Sequence, residues 1–459
     1  MNYQKICVLG LGYIGLPTAA TFATHGLKVL GVDINPAVIE TLQKGEIHIH
    51  EPGLQSVVES AIKVGNLTVS TKPEEADAFI IAVPTPFQEN THGEYNGQQY
   101  KLADMRAVTS ATEAILPFLR MGNLVILEST SPPRTTLDLL APILERSGLK
   151  AGSDFFLCYS PERVLPGQIL RELVENARVI GGVTPESAKA GRDLYATFVK
   201  GEIIETDANT AEMVKIMENT TRDVNIAIAN EFSRLAEKFG VDVWEAIRLA
   251  NLHPRINILS PGPGVGGHCI SVDPWFFVEA APELSQLIYQ ARKVNDAQPY
   301  FVVEKVKQAF IALSGAERSR SASNEGVAES ILKGKKIAAL GLAYKPDVDD
   351  LRASPATEVV HLLQKEGATV KVWEPFKPHA TMKDINMAQS FDSAIEDADA
   401  ILLLVKHTEF TKLQPDEIAT KTKSRILIDC VNAWDTNIWG EAGFKVYRLG
   451  VNKSSVSNH

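Results

Sequence analysis

Cysteine is scarce in this chain: four in 459 residues, Cys7, Cys158, Cys269 and Cys430, with no CxxC pair among them. That scatter leaves no disulfide framework and no structural zinc spacing, so no metal is expected and the compartment expected is a reducing cytoplasm. Basic runs are missing too. Lys and Arg number 46 against 56 Asp and Glu, a formal net charge of −10, which argues against nucleic acid or an anionic membrane surface as partner. Apolar runs such as Ile401–Val405 are strand-sized and far too short to span a bilayer. No charged region followed by an apolar segment precedes the first strand, so no signal peptide is expected.

What is present has the balance of a globular protein, 45% hydrophobic and 22% charged. The length exceeds one ordinary core, and two or three domains are expected. Short β-branched runs (Ile6–Leu9, Val29–Val32, Ala78–Val83, Leu124–Glu128, Phe155–Tyr159, Val179–Ile180, Ile203–Ile204) alternate with helical patterns such as Pro17–His25 and Pro36–Lys44. This alternation predicts a parallel sheet with helices on both faces. From about Thr210 to Phe310 the pattern turns helical, and Thr210–Phe239 lacks Gly and Pro, as one long helix would. A polar stretch, Ser314–Glu329, reads as a linker. Alternation then resumes at Lys336–Leu340, Thr369–Trp373, Ala400–Val405, Arg425–Cys430 and Lys445–Tyr447, and Asn452–His459 reads as a tail. The expected α/β architecture is two Rossmann-like doubly wound domains, 1–208 and 335–452, joined by a central helical region, 209–312, and a linker, 313–334.

Gly10-Leu-Gly12-Tyr13-Ile14-Gly15 follows the first strand and opens a helix, and Asp33 ends the next strand eighteen residues after Gly15. In such a unit the glycines permit a tight turn, close approach of a pyrophosphate and close helix packing, and the acid takes the adenosine ribose. Ile34 and Asn35 follow Asp33 with no Arg to hold a 2′-phosphate, so NAD is expected rather than NADP. Thr85, in Val83-Pro-Thr-Pro, and Thr130, in Glu128-Ser-Thr, fall at strand ends; each hydroxyl reads equally as ligand contact or helix cap.

The loop Pro261-Gly-Pro-Gly-Val-Gly266-Gly-His-Cys269-Ile-Ser-Val-Asp273-Pro carries four glycines and three prolines. A cysteine there, at the opening of the following helix, suits a stabilised thiolate; alone it also fits a small buried hydrophobe. Lys215, Asn219 and Arg222 fall at i, i+4 and i+7 on one helix face among apolar neighbours, either as a ligand-facing stripe or as a solvated one. Glu162 and Arg163 in Ser160-Pro-Glu-Arg-Val-Leu-Pro166-Gly suit substrate or water handling, or a plain ion pair.

Together, GLGYIGLP, VPTP, EST, SPER, the Lys215/Asn219 helix, GGHC…D and GLAYKP resemble the UDP-glucose/GDP-mannose dehydrogenase family over nearly the full length. The resemblance implies a four-electron oxidation at C6 of a UDP-sugar by a homodimer, using two NAD and one water. It makes Cys269 the nucleophile, Lys215 and Asn219 the base or oxyanion groups, Asp273 and Glu162 the residues that handle water. It assigns the sugar and phosphate pocket to Arg163, Val164, Lys215, Asn219, Arg222, His253, Arg255 and Gly266, and the UDP part to Tyr344, Lys345 and Arg352. NAD contacts are implied for Gly10, Gly12, Tyr13, Ile14, Gly15, Asp33, Thr85, Thr130 and Arg292. UDP-glucose dehydrogenases carry a glutamate where this chain has Pro166, which implies a 2-acetamido sugar. The manno epimer is expected first, and the gluco or galacto epimer second. A single-step β-hydroxyacid dehydrogenase, which needs no cysteine, and a nucleotide sensor, which needs no base beside it, are the readings from other classes.

Overall fold

In the computed structural model, which describes residues 3–267, 269–314 and 330–452, the strand Lys5–Leu9 (β1) is buried from Ile6 onward. Strand side chains alternate between faces, so Ile6 and Val8 enter one core while Cys7 and Leu9 enter another. A strand apolar on both faces belongs inside a sheet covered on both sides. β1 is accordingly central in an eight-stranded sheet. The other strands of this region are Lys28–Val32 (β2), Leu67–Ser70 (β3), Ala78–Ile81 (β4), Phe87–Tyr95 (β5), Gln98–Ala103 (β6), Leu124–Leu127 (β7), Phe156–Tyr159 (β8), Arg178–Gly182 (β9) and Ile203–Asp207 (β10). The order is β10-β9-β8-β7-β4-β1-β2-β3, and β5 with β6 forms a separate hairpin.

The sheet departs from the all-parallel expectation at one side. β9 runs antiparallel to β8, with Tyr159 opposite Gly181, and β10 runs parallel to β9. The reversal has a consequence for chemistry: Arg178, at the start of β9, projects beyond Tyr159 at the same carboxyl edge where β7 and β8 end. A parallel β9 would have begun at the opposite edge. The hairpin, unpredicted from sequence, anchors the helix Asp273–Ala280, since Ala103 N–H donates to Glu279 at 2.8 Å and Phe276 packs with Ala103 and Ile216.

The expected long helix is there, as Ala208–Phe239, 32 residues. Its Met213 and Met217 are exposed, not buried as their apolar neighbourhood suggested. Within it the chain passes from one compact unit, 1–220 with 272–286, to a second, 221–271 with 287–459. The second unit holds a six-stranded parallel sheet of Lys336–Leu340 (β11), Thr369–Trp373 (β12), Asn386–Met387 (β13), Ala400–Leu403 (β14), Ile426–Asp429 (β15) and Lys445–Arg448 (β16), ordered β13-β12-β11-β14-β15-β16. The helices Gln298–Ser314 and Pro355–Lys365 help close its core. Of the expected linker, 313–334, residues 313 and 314 instead end the helix Gln298–Ser314, residues 330–334 are described, and 315–329, like the tail beyond Asn452, lie outside the described residues.

Candidate active site

At the first strand-to-helix turn the three glycines answer to different constraints. Gly10 has φ +93°, and a Cβ there would meet Ala82 O at 2.5 Å; a Cβ on Gly15 would sit 1.8 Å from Gly10 O. Both are demanded by the protein itself. A Cβ on Gly12 would meet nothing within 4 Å, so the space in front of it is open to a ligand. The helix Gly15–Thr24 begins beyond it with no side-chain cap and no acid in its first turn, which leaves N–H donors and the positive helix end for a pyrophosphate. Asp33 accepts Leu11 N–H at 3.0 Å and Asn35 N–H at 2.9 Å and stays partly exposed at the edge of β2. Thr85 and Thr130 meet, Thr85 Oγ1 donating to Thr130 O at 2.7 Å. The turn therefore fits a bound dinucleotide. Arg292, in contrast, is only 1% exposed and pairs with Asp223 at 2.5 Å and with Asp296.

The second sheet repeats the strand-turn-helix plan with its acid closed off. Glu374, at the end of β12, accepts Leu342 N–H at 2.7 Å, Ala343 N–H at 3.0 Å and Phe376 N–H at 3.0 Å. Asp347 N–H donates to His407 Nδ1 at 2.9 Å, leaving Nε2 to donate to Glu374 at 3.1 Å. Burial pushes Glu374 up, but the bonds from His407 and the backbone outweigh it and hold the carboxyl below its usual range. A fully buried, fully bonded acid offers nothing to a ribose.

Lys215 and Asn219 are partly buried in the first unit, where Asn219 Nδ2 donates to Asp273 Oδ2 at 2.5 Å. Asp273 is 2% exposed. Burial pushes its carboxyl up to about 6, opposed by the charge of Lys215 and the Asn219 bond. Near it lies Tyr159, whose buried hydroxyl has no hydrogen-bond partner among the described residues and whose ionisation is suppressed by burial and by Glu212, Asp273 and Glu128. The sequence reading passed over Tyr159 because a tyrosine ending an apolar strand reads as core. Glu162, 8% exposed, accepts from Arg163 N–H at 2.7 Å and from Arg178 Nη2 at 2.5 Å. The Arg163 guanidinium pairs with Glu218 at 2.6 Å, and Val164 packs on the core. The turn that follows is tied down by Glu51, which accepts Gly167 and Ile169 N–H at 2.8 Å each.

Among the cysteines, Cys7, Cys158 and Cys430 are buried and only Cys269 is exposed. Burial pushes Cys7 up to about 12 and the other two buried thiols higher still. The helix after Cys269 opens at Asp273, four residues later than the sequence reading placed it, because Pro274 takes the first-turn position where its missing N–H costs nothing. Cys269 therefore sits in the loop itself. Within the second unit that loop packs on the Tyr344–Pro355 segment. A Cβ on Gly266 would meet Ala353 O and Pro355 Cδ at 2.6 Å, and one on Gly267 would meet the Tyr344 ring at 3.0 Å. Arg352, exposed, is held by Asp350 at 2.8 Å, and Lys345 Nζ lies 5.9 Å from the Tyr344 ring centroid. Arg222, His253 and Arg255 are exposed.

Models of the UDP-glucose/GDP-mannose dehydrogenase family match three stretches: its NAD binding domain at 4–199, its central domain at 209–297 and its UDP binding domain at 338–436. This chain belongs to that family. It is an NAD-dependent UDP-sugar dehydrogenase. It is 46% identical over 454 residues to the UDP-N-acetyl-D-mannosamine dehydrogenase of Methanococcus maripaludis strain C7, covering 98% of both chains. It is 46% identical over 444 residues to the NDP-N-acetyl-D-galactosaminuronic acid dehydrogenase of Ralstonia solanacearum, covering 95% of this chain and 97% of that one. The derivative structure of the UDP-N-acetyl-mannosamine dehydrogenase Cap5O from Staphylococcus aureus superposes with a TM-score of 0.84 at 44% identity, over 97% of this chain and 99% of that one. No described helix is long and apolar enough to cross a membrane.

Proposed function

We propose that the protein oxidises C6 of UDP-N-acetyl-D-mannosamine to the uronate, consuming two NAD and one water and releasing two NADH, for a surface polysaccharide. The observation that carries this reading is the buried Asp273 carboxylate, bonded to Asn219 beside Lys215, four residues along the chain from the exposed Cys269. An acid whose carboxyl is raised to about 6 next to a cation and an amide suits proton transfer near neutral pH, and an exposed thiol suits covalent capture. Residues 1–208 would hold the dinucleotide, 209–312 the catalytic and dimer-forming helices, and 335–452 the UDP moiety, a division supported by the three matched domains.

Bound NAD supplies the hydride acceptor. Lys215 takes the proton of the C6 hydroxyl or stabilises the oxyanion, assisted by the Asn219 amide, as the alcohol becomes an aldehyde. The Cys269 thiolate adds to that aldehyde, giving a thiohemiacetal that keeps the carbon on the enzyme; loss of a second hydride leaves a thioester. Glu162 and Asp273 deliver water, and the thiol departs as the carboxylate forms. Arg163, Val164, Arg222, His253, Arg255 and Gly266 line the sugar side, with Tyr344, Lys345 and Arg352 on the uridine diphosphate.

The manno substrate is supported by the names of the relatives and by Pro166, which stands where UDP-glucose dehydrogenases carry a glutamate. A galacto substrate is favoured by one observation, the equal identity to the Ralstonia protein. A panel of UDP-sugars, followed by NADH absorbance, separates them: the manno epimer is expected to turn over fastest with two NADH per sugar. Faster turnover of the gluco or galacto epimer overturns the choice. Cys269→Ser should abolish uronate formation, by roughly a thousandfold or more, with NAD binding retained; one NADH per sugar in the unmodified enzyme would instead mark a single-step dehydrogenase.

A further inference from the structure

The carboxyl edge of the first sheet holds a buried charge cluster of which the proposed chemistry uses only Glu162. Glu128, directly after β7, has a side chain with no solvent exposure, and Arg178, at the start of β9, is 5% exposed. Arg178 Nη1 donates to Glu128 Oε1 at 3.2 Å and to Ser160 Oγ at 2.9 Å, while Nη2 donates to Glu162 Oε2 at 2.5 Å. The Tyr195 hydroxyl, from the helix Pro185–Tyr195, donates to Glu128 Oε1 at 2.5 Å, and the Tyr195 ring lies under the guanidinium at 4.1 Å. Glu128 Oε2 is buried with no hydrogen-bond partner among the described residues. One guanidinium thus serves two carboxylates, and one carboxylate oxygen has nothing to accept.

We propose that Glu128 is a positioning residue for the hydrolytic half of the reaction, acting through Arg178 on the carboxylate of Glu162. The inference rests on Glu162 being a group that handles water. Charge arithmetic gives the device its sense. With Glu128 protonated, Arg178 neutralises Glu162 alone, and the buried cluster is electrically balanced. With Glu128 ionised, two negative charges share one positive charge, and the carboxylate of Glu162 is less well compensated. Negative charge left uncompensated at Glu162 is available to orient and polarise the attacking water. The unpartnered Oε2 is the atom on which the Glu128 proton sits, since Oε1 already accepts from both Arg178 and Tyr195.

The groups facing Glu128 are few. Arg178 comes from β9, Glu162 from the turn after β8 and Tyr195 from the neighbouring helix. Cys158 and Tyr159, both from β8, are kept neutral by burial and by the charge of Glu128 itself. Burial pushes Glu128 up to about 7, with Arg178 pulling it down and the Glu162 charge adding to the rise. The switch therefore falls in the neutral range.

The test follows hydrolysis of the Cys269 acyl-enzyme in the full-length protein, by quenched single turnovers with NAD and UDP-N-acetyl-D-mannosamine across neutral pH. Hydrolysis should quicken as pH rises through about 7 in the unmodified enzyme. Glu128→Gln should lose that limb and hydrolyse about tenfold more slowly at mildly alkaline pH, with KM for sugar and NAD unchanged. Tyr195→Phe removes a donor that favours the ionised carboxylate, so its limb should move to higher pH. This second variant decides the matter alone if Glu128→Gln does not fold. A limb that stays in place in the folded variants overturns the proposal. Glu162→Gln separates the two levels: hydrolysis at the unmodified rate removes the role of Glu162 and the proposal with it. Slow hydrolysis there, beside an unmoved profile in Glu128→Gln, removes the positioning role only.

Discussion

Burial pushes the carboxyl of Asp273 up to about 6, against the charge of Lys215 and the Asn219 amide, and this shift is also a statement about stability. Its folded-state value lies above the unfolded one near 3.8, so the native chain binds the proton more tightly. The associated stability is fully present below pH 4 and is lost as pH rises through 6. At about 1.4 kcal/mol per unit, an ionised Asp273 costs the fold at most about 3 kcal/mol at neutral pH. Asp273→Asn should therefore melt higher than the unmodified chain at pH 7.5 and lose that advantage at pH 4, while turnover falls by roughly a hundredfold or more. Thermal melts at the two pH values check the first part, and an equal melting temperature at both would contradict it. Asp273 was legible as a candidate from its loop alone. That it is buried, bonded to Asn219 and raised above the usual carboxylate range was not, because a helix 54 residues earlier in the chain supplies the partner.

The first strand, turn and helix form the element in which sequence and structure agree most closely, and they give a paired test. Gly15→Ala places a Cβ on a backbone oxygen and should destabilise the first unit by on the order of 3 kcal/mol. Gly12→Val projects into space that no protein atom fills. It should leave the melting temperature nearly unchanged, within about 0.5 kcal/mol, and raise KM for NAD at least about tenfold. Equal destabilisation by both would show that Gly12 serves packing. Local spacing sufficed here because a tight turn and a helix start are decided within a dozen residues. It failed for β9, whose apolar run predicts a strand but not its direction. The reversal that brings Arg178 beside Glu128 and Glu162 depends on how the connection from Ser160 to Ala177 returns across the sheet edge. Glu128 likewise reads in the sequence only as the end of a strand leading into the Thr130 turn.

At the scale of the whole molecule, the second unit leaves one face of the long helix uncovered. Ile228, Phe232, Leu235 and Phe239 fall at i, i+4, i+7 and i+11, and all are at least 40% exposed; Leu249, Leu252 and Ile256 nearby are exposed as well. A contiguous apolar stripe of this length marks an interface, and the homodimer implied by the family resemblance would cover it. Phe232→Glu should weaken association on the order of a hundredfold, read as a shift from dimer to monomer in sedimentation velocity. A monomer in the unmodified protein would remove the proposal. The spacing of this stripe stands in the sequence, but apolar periodicity alone does not say what covers it. Composition and local pattern determined the two Rossmann-like sheets, the long helix, the dinucleotide turn and the exceptional cysteine, because each depends on residues close together in the chain. Only the tertiary structure decided which acids are free and which are sealed, Asp33 open and Glu374 locked by His407. The tertiary structure also decided which carboxylates share Arg178, since burial and ion pairing are set by groups that meet across 16 to 50 residues of chain.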